Sequence, residues 1–308
     1  GKSLSSGIQL LATTAKTKKE RNTYLKIHNE LKDGSTFSQA LNINKIGTSD
    51  ILQFITMAEK GVSFKSSLEK IIKYIEVKED FERESNEKTS LPFIYFTLAA
   101  LVVLGTKLIA VPMQLDRGKE YSQEIIDLIS NHLAIAQRMT DTLCMLLLFV
   151  AGYFMILMIA LFSQSNITQG TAKQIGLVLP LVSKIIVKFE KFILFSILGE
   201  MLQGGISFKN SIQIAINTSK IKSFKNALIE SLESIKNDGK FIFHSTLYDD
   251  IERGLLIGVG SSHQIGAVML EISNRAKADA LILSTKFFRT ITFVSILLMA
   301  FAVFIQFW

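Results

Sequence analysis

The chain has 308 residues, a formal net charge of +7 and a hydrophobic fraction of 48%. Its single cysteine, Cys144, cannot form an internal disulfide, which excludes a disulfide-built secreted fold. Acidic residues are interleaved with the basic ones throughout, so the positive charge does not indicate a nucleic-acid-binding protein. Three prolines and the lack of sustained apolar/polar alternation argue against a β-sheet, and an all-α chain is therefore predicted.

Residues 1–90 are predicted to form a first helical bundle. Two helical segments end at Asp33-Gly34, where glycine adopts the left-handed conformation of a helix C-terminus at little cost. A short segment with Phe37 and a helix that ends near Gly61 come next. A long last helix follows, and its apolar residues recur at the spacing of one buried helical face: Phe64, Leu68, Ile71, Ile72 and Ile75.

Three apolar segments are predicted to cross a membrane as helices: Leu91–Val111, Thr142–Phe162 and Thr290–Trp308. They contain 21, 21 and 19 residues, and Lys107 is the one charged residue among them. About 20 apolar residues in a helix span a hydrocarbon core of about 30 Å, and the helix satisfies its own backbone hydrogen bonds there. Because Lys107 lies close to the end of its span, its amine is expected to reach the outer surface.

The connection 112–141 is predicted to begin where Pro112 ends the first helix. An apolar stripe in Tyr121–Arg138 predicts a helix that either lies at the outer interface or extends the second span. The connection carries three basic and five acidic residues, whereas residues 1–90 carry 15 and 12 and residues 163–289 carry 15 and 10. Since basic residues hold loops in the cytoplasm, the two longer segments are predicted to be cytoplasmic and the connection periplasmic.

Residues 163–289 are predicted to form a second helical bundle that repeats the first. Its last helix again has an apolar stripe, formed by Ile265, Met269, Ile272 and Ala276, and runs into the third span. The two copies share three glycine positions: Gly7 and Gly204-Gly205 after a short turn, Asp33-Gly34 and Asp238-Gly239 at a helix end, and Gly61 and Gly260 near the end of the next helix.

The second copy is predicted to begin with an additional helix, Leu179–Gln203, with Pro180 in its first turn, where the missing N–H costs nothing. Lys184, Lys188 and Lys191 share one side of it, which predicts an amphipathic cytosolic or membrane-surface helix and not a fourth span. The first copy has no counterpart of this helix. The native protein is therefore expected to carry an N-terminal extension on the order of 20 residues or more.

No motif points to catalysis, so the chain is predicted not to be an enzyme and to need no cofactor. The four histidines are dispersed without partners at metal-ligand spacing, and no phosphate-binding loop is present. The acidic runs Glu79–Glu87 and Asp249–Glu252 are expected to be solvated or to face a partner, with a divalent-cation site as the alternative. Glu59, at a helix end, is expected either to contact a partner or to make an intramolecular polar contact.

The order of these parts resembles the inner-membrane platform proteins of type II secretion systems and type IV pilus machines, the secretion F family. Local matches occur at Gly34–Leu41, Val111-Pro112, Leu179-Pro180 and Leu198–Ile206. The family has Gly-Glu and then Gly at the start of its last cytoplasmic helix, and the first copy here has Ala58-Glu59 with Gly61. The second copy has Val259-Gly260 and no acidic residue at the matching position, so the chain is identified as a divergent member.

The resemblance implies a non-enzymatic platform in the bacterial inner membrane that couples a cytoplasmic assembly ATPase to the insertion of pilins into a growing filament. The implied partners are that ATPase, major and minor pilins or pseudopilins, other inner-membrane assembly proteins, membrane lipid and further copies of the chain. A type IV pilus machine is the favoured setting; the alternatives are a type II secretion system and, from another class, a small membrane transporter. The candidate contact residues are Asp33, Gly34, Glu59, Gly61, Asp238, Gly239 and Gly260.

Overall fold

The computed structural model describes residues 4–59, 64–118, 123–163, 166–238, 242, 244–259 and 261–307. Every regular element within these ranges is helical, which confirms the predicted all-α class. A π-helical segment, Thr106–Ala110, lies between the fifth and sixth α-helices. The α-helices are, in chain order, α1 (Leu4–Thr14), α2 (Lys18–Lys32), α3 (Phe37–Ile43), α4 (Ser49–Glu59), α5 (Phe64–Gly105), α6 (Val111–Gly118), α7 (Gln123–Phe162), α8 (Asn166–Gly176), α9 (Val182–Gln203), α10 (Phe208–Thr218), α11 (Lys222–Asp238), α12 (Asp250–Ile257) and α13 (Ser262–Phe307).

Three helical stretches of the described chain are long and apolar enough to cross a membrane: Ser67–Gln114, Ala134–Leu161 and Ser262–Ile305. They overlap the three predicted spans, so the prediction of a three-span protein is confirmed. The first and third spans are the later parts of much longer helices, because α5 and α13 continue without a break from the charged segments that precede them. Pro92 lies inside α5 without ending it.

The helix of the first span does not end at Pro112, contrary to the prediction. The backbone changes to a π-helix at Thr106–Ala110, where Val111 donates its N–H to the Thr106 carbonyl, and returns to α-helix in α6. The wider π turn shifts the hydrogen-bond register just before Pro112. The backbone therefore remains helical at the proline. Of the two alternatives predicted for the helix in Tyr121–Arg138, the structure confirms the second, because α7 extends the second span back to Gln123.

Packing divides the chain into two compact units. The helical unit comprises Gly1–Glu79, Gln164–Asn166 and Phe189–Lys277, and it combines residues of both predicted bundles. The span unit comprises Asp80–Ser163, Ile167–Lys188 and Ala278–Trp308. Three long helices, α5, α9 and α13, contribute residues to both units.

The core of the helical unit is built from both halves of the chain. Phe54 and Ala58 of α4 share one buried cluster with Met201 of α9 and Ile214 of α10, and α4 packs directly against α10. The ring of Phe54 also lies against Tyr74 of α5, with the ring centres 6.4 Å apart. Removal of these side chains from water is what holds the halves together, because burial of apolar area is the main favourable term in folding.

The helix α9 is buried on nearly all sides between Phe189 and Leu202. Close approach to α13 requires glycine on both helices: a Cβ on Gly199 would lie 2.9 Å from the Gly266 carbonyl oxygen, and a Cβ on Gly266 would lie 3.0 Å from the Gly199 carbonyl oxygen. Ser273 strengthens this contact by donating its hydroxyl to the Phe192 carbonyl at 2.9 Å. A helix in this position is a central element of the unit and not a surface element.

The prediction that α9 is an amphipathic cytosolic or membrane-surface helix with one lysine-bearing side is therefore wrong in part. Lys184 is exposed, but Lys188 pairs with Asp279 at 2.7 Å and Lys191 is buried against an acidic residue of another helix. Residues far apart in sequence supply the neutralising charges, so helical spacing alone does not distinguish such a face from a solvated one.

Two boundaries also differ from the prediction. The helix α9 begins at Val182, and Pro180 lies in the turn before it. In that turn Leu181 has a φ of +68°, a left-handed conformation that ends one helix before the next begins. Gly7 lies inside α1 and not after a turn, whereas Gly205 has a φ of +81° and does form a turn.

The span unit packs its three long helices through a cluster that includes Val103 of α5, Ala136 and Leu147 of α7, and Ala302 of α13. Small residues allow helices to approach closely in a membrane, and buried serine and threonine side chains share these faces: Ser85, Thr106, Thr140, Ser284 and Ser295. Many of the largest apolar side chains point outwards, as lipid-facing sides require. Lys107 pairs with Asp141 at 2.7 Å and so has a partner within the chain.

Candidate functional site

Two of the candidate residues, Asp33 and Gly34, lie at the turn between α2 and α3. Asp33 caps α2, and its N–H donates to the Asn29 carbonyl at 2.9 Å. Gly34 follows with a φ of +91°, a conformation that a residue without a Cβ adopts at little cost. The hydroxyl of Thr36 then accepts the N–H of Gln39 and caps α3. The Asp-Gly pair therefore ends one helix immediately before the next one starts.

The carboxylate of Glu59, the last residue of α4, closes over this turn. Its Oε1 accepts the backbone N–H groups of Phe37 and Ser38, at 2.5 and 3.3 Å, and its Oε2 accepts the Ser38 hydroxyl at 2.6 Å. The first N–H groups of a helix have no partners within it, and a negative charge there also interacts favourably with the helix dipole. Glu59 thus makes an intramolecular contact, while a contact of this region with a partner remains a prediction.

Replacing Glu59 by glutamine is expected to lower the free energy of unfolding by about 1 kcal/mol, because neutral hydrogen bonds replace charge-assisted ones. The measurement is thermal unfolding of the full chain in detergent. Glu69→Ala is the matched control, since Glu69 is exposed on α5 and should change stability by less than about 0.5 kcal/mol. Equal shifts in the two variants would show that the carboxylate of Glu59 does not stabilise the turn.

Of the remaining candidate residues, Asp238 is among those that the structure describes. Asp238 is the last residue of α11. Gly61, Gly239 and Gly260 lie outside the described residues. The structure therefore places Asp33 and Gly34 at the turn before α3 and the carboxylate of Glu59 on the first N–H groups of α3, and the corresponding arrangement in the second half stays a prediction.

A second polar cluster, which the sequence pattern does not predict, joins α9 to α12. Lys191 and Glu252 form an ion pair whose side chains are only 9% and 7% exposed. Glu252 also accepts the N–H of Asp249, the residue that caps α12, at 2.9 Å. The amine of Lys191 lies 5.7 Å from the ring centre of Phe195, within the range of a cation–π contact. One glutamate thus completes the cap of α12 and neutralises a lysine of α9.

Tyr248 belongs to the same cluster, with its ring centre 5.1 Å from that of Phe195. Burial raises the pKa of its hydroxyl well above the usual value of a tyrosine, and the negative charge of Glu252 adds to the shift. The phenol therefore stays neutral throughout the physiological pH range. A neutral, buried phenol is suited to packing and not to acting as a base.

Two more carboxylates of α9 are buried and bound within the helical unit. Glu190 accepts the backbone N–H of Lys220 at 2.5 Å, and Glu200 lies 3.7 and 3.6 Å from the amines of Lys70 and Lys73 on α5. The ion pairs of Glu200 with Lys70 and Lys73 join the first half of the chain to the second. The sequence signal for such sites is an acidic residue within a run of large apolar residues, as in Lys188–Met201.

The arrangement of these groups favours a structural role over catalysis. Each buried carboxylate is held by a lysine or by backbone N–H groups, and His28 is held by Ser5 at 3.0 Å. Among the residues that the structure describes, no group of three or more His, Cys, Asp or Glu is placed to hold a metal ion. The polar groups connect helices whose apolar faces form the core.

Residues 1–112 match the family model described as type II secretion system (T2SS), protein F. The match covers the first predicted bundle and the first span, including Asp33, Gly34 and Glu59, and it confirms the resemblance over these residues. No curated protein matches the chain. Proteins of this family are non-enzymatic components of a membrane platform in secretion or pilus machinery, and three apolar helices fit a multi-pass inner-membrane protein.

Proposed function

We propose that the whole chain is the inner-membrane platform of a type IV pilus machine, which couples a cytoplasmic assembly ATPase to the insertion of pilins into a growing filament. The observation that carries the proposal is the match of residues 1–112 to the type II secretion system protein F family. The order of helices after residue 112 supports extending the assignment to the rest of the chain, because α10, α11, α12 and α13 follow the order of α1, α2, α4 and α5.

The distribution of charge supports a cytoplasmic location for the helical unit. Basic residues lie close to both helical entries into the membrane: Lys73, Lys78, Arg83 and Lys88 before the first span, and Arg275, Lys277, Lys286 and Arg289 before the third. Loops rich in lysine and arginine stay on the cytoplasmic side. In this topology the ATPase meets the helical unit, and the pilins meet the spans.

The long helices provide a route for mechanical coupling. Both α5 and α13 run from a charged segment into a span as single helices of 42 and 46 residues. A continuous helix transmits displacement or torque better than a flexible linker does, because each backbone hydrogen bond opposes bending. Motion of the ATPase would thus reach the lipid-embedded segments, where pilin subunits are transferred to the filament.

Deletion of the gene is expected to abolish surface filaments while pilin synthesis continues, and expression of the full chain should restore them. Filaments would be counted by electron microscopy and pilin measured by immunoblotting. The full chain in detergent should also capture the assembly ATPase of its host. Intact filaments in the deletion strain would contradict the proposal.

A type II secretion platform is the second candidate, and the description of the matching family favours it. The same deletion separates the two candidates. Loss of secreted enzymes from the medium with filaments intact identifies a secretion platform, whereas loss of filaments with secretion intact identifies a pilus platform.

A further inference from the structure

The end of α8 and its connection to α9 contain only apolar residues. Residues 175–181, here called the apolar turn, read Ile-Gly-Leu-Val-Leu-Pro-Leu, without a charged or hydrogen-bonding side chain. Three of its large side chains point outwards: Ile175, Val178 and Leu181 are 50%, 83% and 52% exposed. Turns that meet water usually contain Asn, Asp or Ser besides Gly and Pro. The composition of the apolar turn is therefore not that of a turn in water.

The backbone of the apolar turn supplies its own hydrogen-bond partners. Three consecutive N–H groups, those of residues 177–179, donate to carbonyls three or four positions earlier at 3.0–3.1 Å. The next residue, Pro180, has no N–H to satisfy, and its carbonyl accepts the N–H of Val182 at 2.9 Å. An unpaired backbone group is costly in lipid, because no water replaces the missing partner. This backbone is therefore compatible with a lipid environment.

The apolar turn lies beside the membrane spans and not beyond their ends. Leu181 lines one apolar groove together with Phe149 of α7 and with Thr290 and Val294 of α13. Phe149 belongs to the second span, Ala134–Leu161, and is itself 64% exposed, as a lipid-facing residue is. The exposed surface of the turn is thus continuous with the lipid-facing surface of the spans.

Gly176 holds the apolar turn against the second span. A Cβ at this position would overlap Cδ1 of Ile186 on α9 and would lie 3.6 Å from Cγ2 of Ile156 on α7. The missing side chain therefore lets α8 and α9 meet beside α7. The two helices form a hairpin whose tip lies along the second span.

Charged residues near the apolar turn indicate its depth. Lys184 in the first turn of α9 is exposed, and so are Lys286 and Arg289 on α13. Val294 follows Arg289 by five residues, which is about 7 Å along a helix. Lysine and arginine side chains at a bilayer extend to the headgroups, so the groove that Leu181 shares with Val294 begins just below that level. Interfacial elements are buried to a similar depth, about 5–10 Å.

We propose that the hairpin of α8 and α9 is re-entrant: the apolar turn is inserted into the leaflet in which the second span ends, and lipid acyl chains cover Ile175, Val178 and Leu181. Lys184 then lies at the level of the phosphates and interacts with anionic headgroups. The proposed topology makes this the cytoplasmic leaflet. The insertion itself rests on the groove and the turn and does not depend on the proposed function.

Fluorescence quenching in proteoliposomes tests the insertion. The native thiol is removed by Cys144→Ala, and Val178→Cys in the full chain carries a bimane label. The liposomes contain phosphatidylethanolamine and phosphatidylglycerol, with a fraction of phospholipid that is spin-labelled near the glycerol end of the acyl chain. This lipid is expected to lower the emission at least about twofold, because the label lies at the same depth as the spin label. Iodide in the aqueous phase is expected to have little effect.

Ile257→Cys is the matched control, since Ile257 is an apolar residue of similar exposure, 74%, on α12 of the helical unit. Its label should be quenched by iodide and not by the lipid. Phe149→Cys, within the second span, should be quenched by the lipid. Ile175→Cys is a second labelling site in the apolar turn and should repeat the result of Val178→Cys, so the test does not depend on the folding of one variant.

Two outcomes would overturn the inference. Quenching of both turn labels by iodide and not by the lipid would place the apolar turn in water. Protection from both quenchers would show that protein, and not lipid, covers it.

These outcomes are distinguishable from failure of the proposed function. A chain that restores filaments while iodide quenches its turn labels overturns only the insertion. A chain whose turn labels are quenched by the lipid, in a strain whose filaments and secretion survive deletion, overturns only the function.

Discussion

Replacing Lys191 by methionine is expected to lower the free energy of unfolding by about 3–5 kcal/mol, because it leaves the carboxylate of Glu252 buried without its counter-ion. The lysine and glutamate side chains are 9% and 7% exposed, so water cannot replace the lost charge. Thermal and urea unfolding of the full chain in detergent, followed by circular dichroism, would measure the loss. Protease sensitivity of α12 should rise in the same variant, since Glu252 also completes the cap of that helix.

The double variant Lys191→Met with Glu252→Gln is expected to recover most of the lost stability. A glutamine at position 252 can still accept the N–H of Asp249, because glutamine replaces glutamate in this type of helix cap. Arg275→Met is the matched control for loss of an ion pair. Arg275 and Glu271 are 52% and 54% exposed, and such surface pairs contribute between 0 and about 1 kcal/mol. A loss below about 1 kcal/mol in Lys191→Met would show that the buried pair is dispensable.

Replacing Gly199 by valine is expected to lower the free energy of unfolding by about 3 kcal/mol, through overpacking between α9 and α13. A Cβ at this position would lie 2.6 Å from Cγ of Leu270 and 2.9 Å from the carbonyl oxygen of Gly266. The leucine side chain can rotate away, but the backbone oxygen cannot move without separating the helices. The melting temperature of the full chain in detergent measures the effect.

Gly170→Ala is the control for this substitution. Gly170 lies in α8, and a Cβ there would meet no atom within 4 Å. Alanine favours a helix over glycine by roughly 0.5–1 kcal/mol, so this variant should be unchanged or slightly more stable. If the Gly199→Val protein had the melting temperature of the wild type, α9 and α13 would be able to move apart without loss of stability, which would contradict the prediction.

The elements that the sequence predicts well are those specified by neighbouring residues. Hydropathy summed over about 20 residues identifies a span whatever the rest of the chain does. Asp33-Gly34 likewise marks a helix end because the conformation at Gly34, with its φ of +91°, is a local property. The first bundle also contains enough of the family pattern for residues 1–112 to be matched.

Two predictions were wrong for different reasons, one local and one set by a distant part of the chain. Pro112 was expected to end a helix, but a π turn before it keeps the backbone helical. Lys191 has the spacing of a solvated residue, yet its partner Glu252 lies 61 positions further along the chain. No pattern within α9 specifies that partner, because the pair forms only when two helices pack.

For the turn bound by Glu59, the sequence predicts the position of the acidic residue but not its contact. The sequence alone places an acidic residue at the end of a helix and leaves its role open between a partner contact and an internal one. The structure brings its carboxylate to the N–H groups of Phe37 and Ser38, 22 and 21 positions earlier in the chain. Helix propensity predicts that those groups need a partner, and tertiary packing decides which residue supplies it.

By itself the sequence determined the all-α class, the three apolar spans and the Asp-Gly helix end, because each depends on residues close together in the chain. The order of these parts along the chain supported the resemblance to the platform family. Only the tertiary structure decided that residues of both bundles share one core, that Lys191 is buried, and that Gly199 and Gly266 let two helices touch. Those features depend on which helix surfaces pack against each other. The free energy of such a contact depends on the residues of both helices.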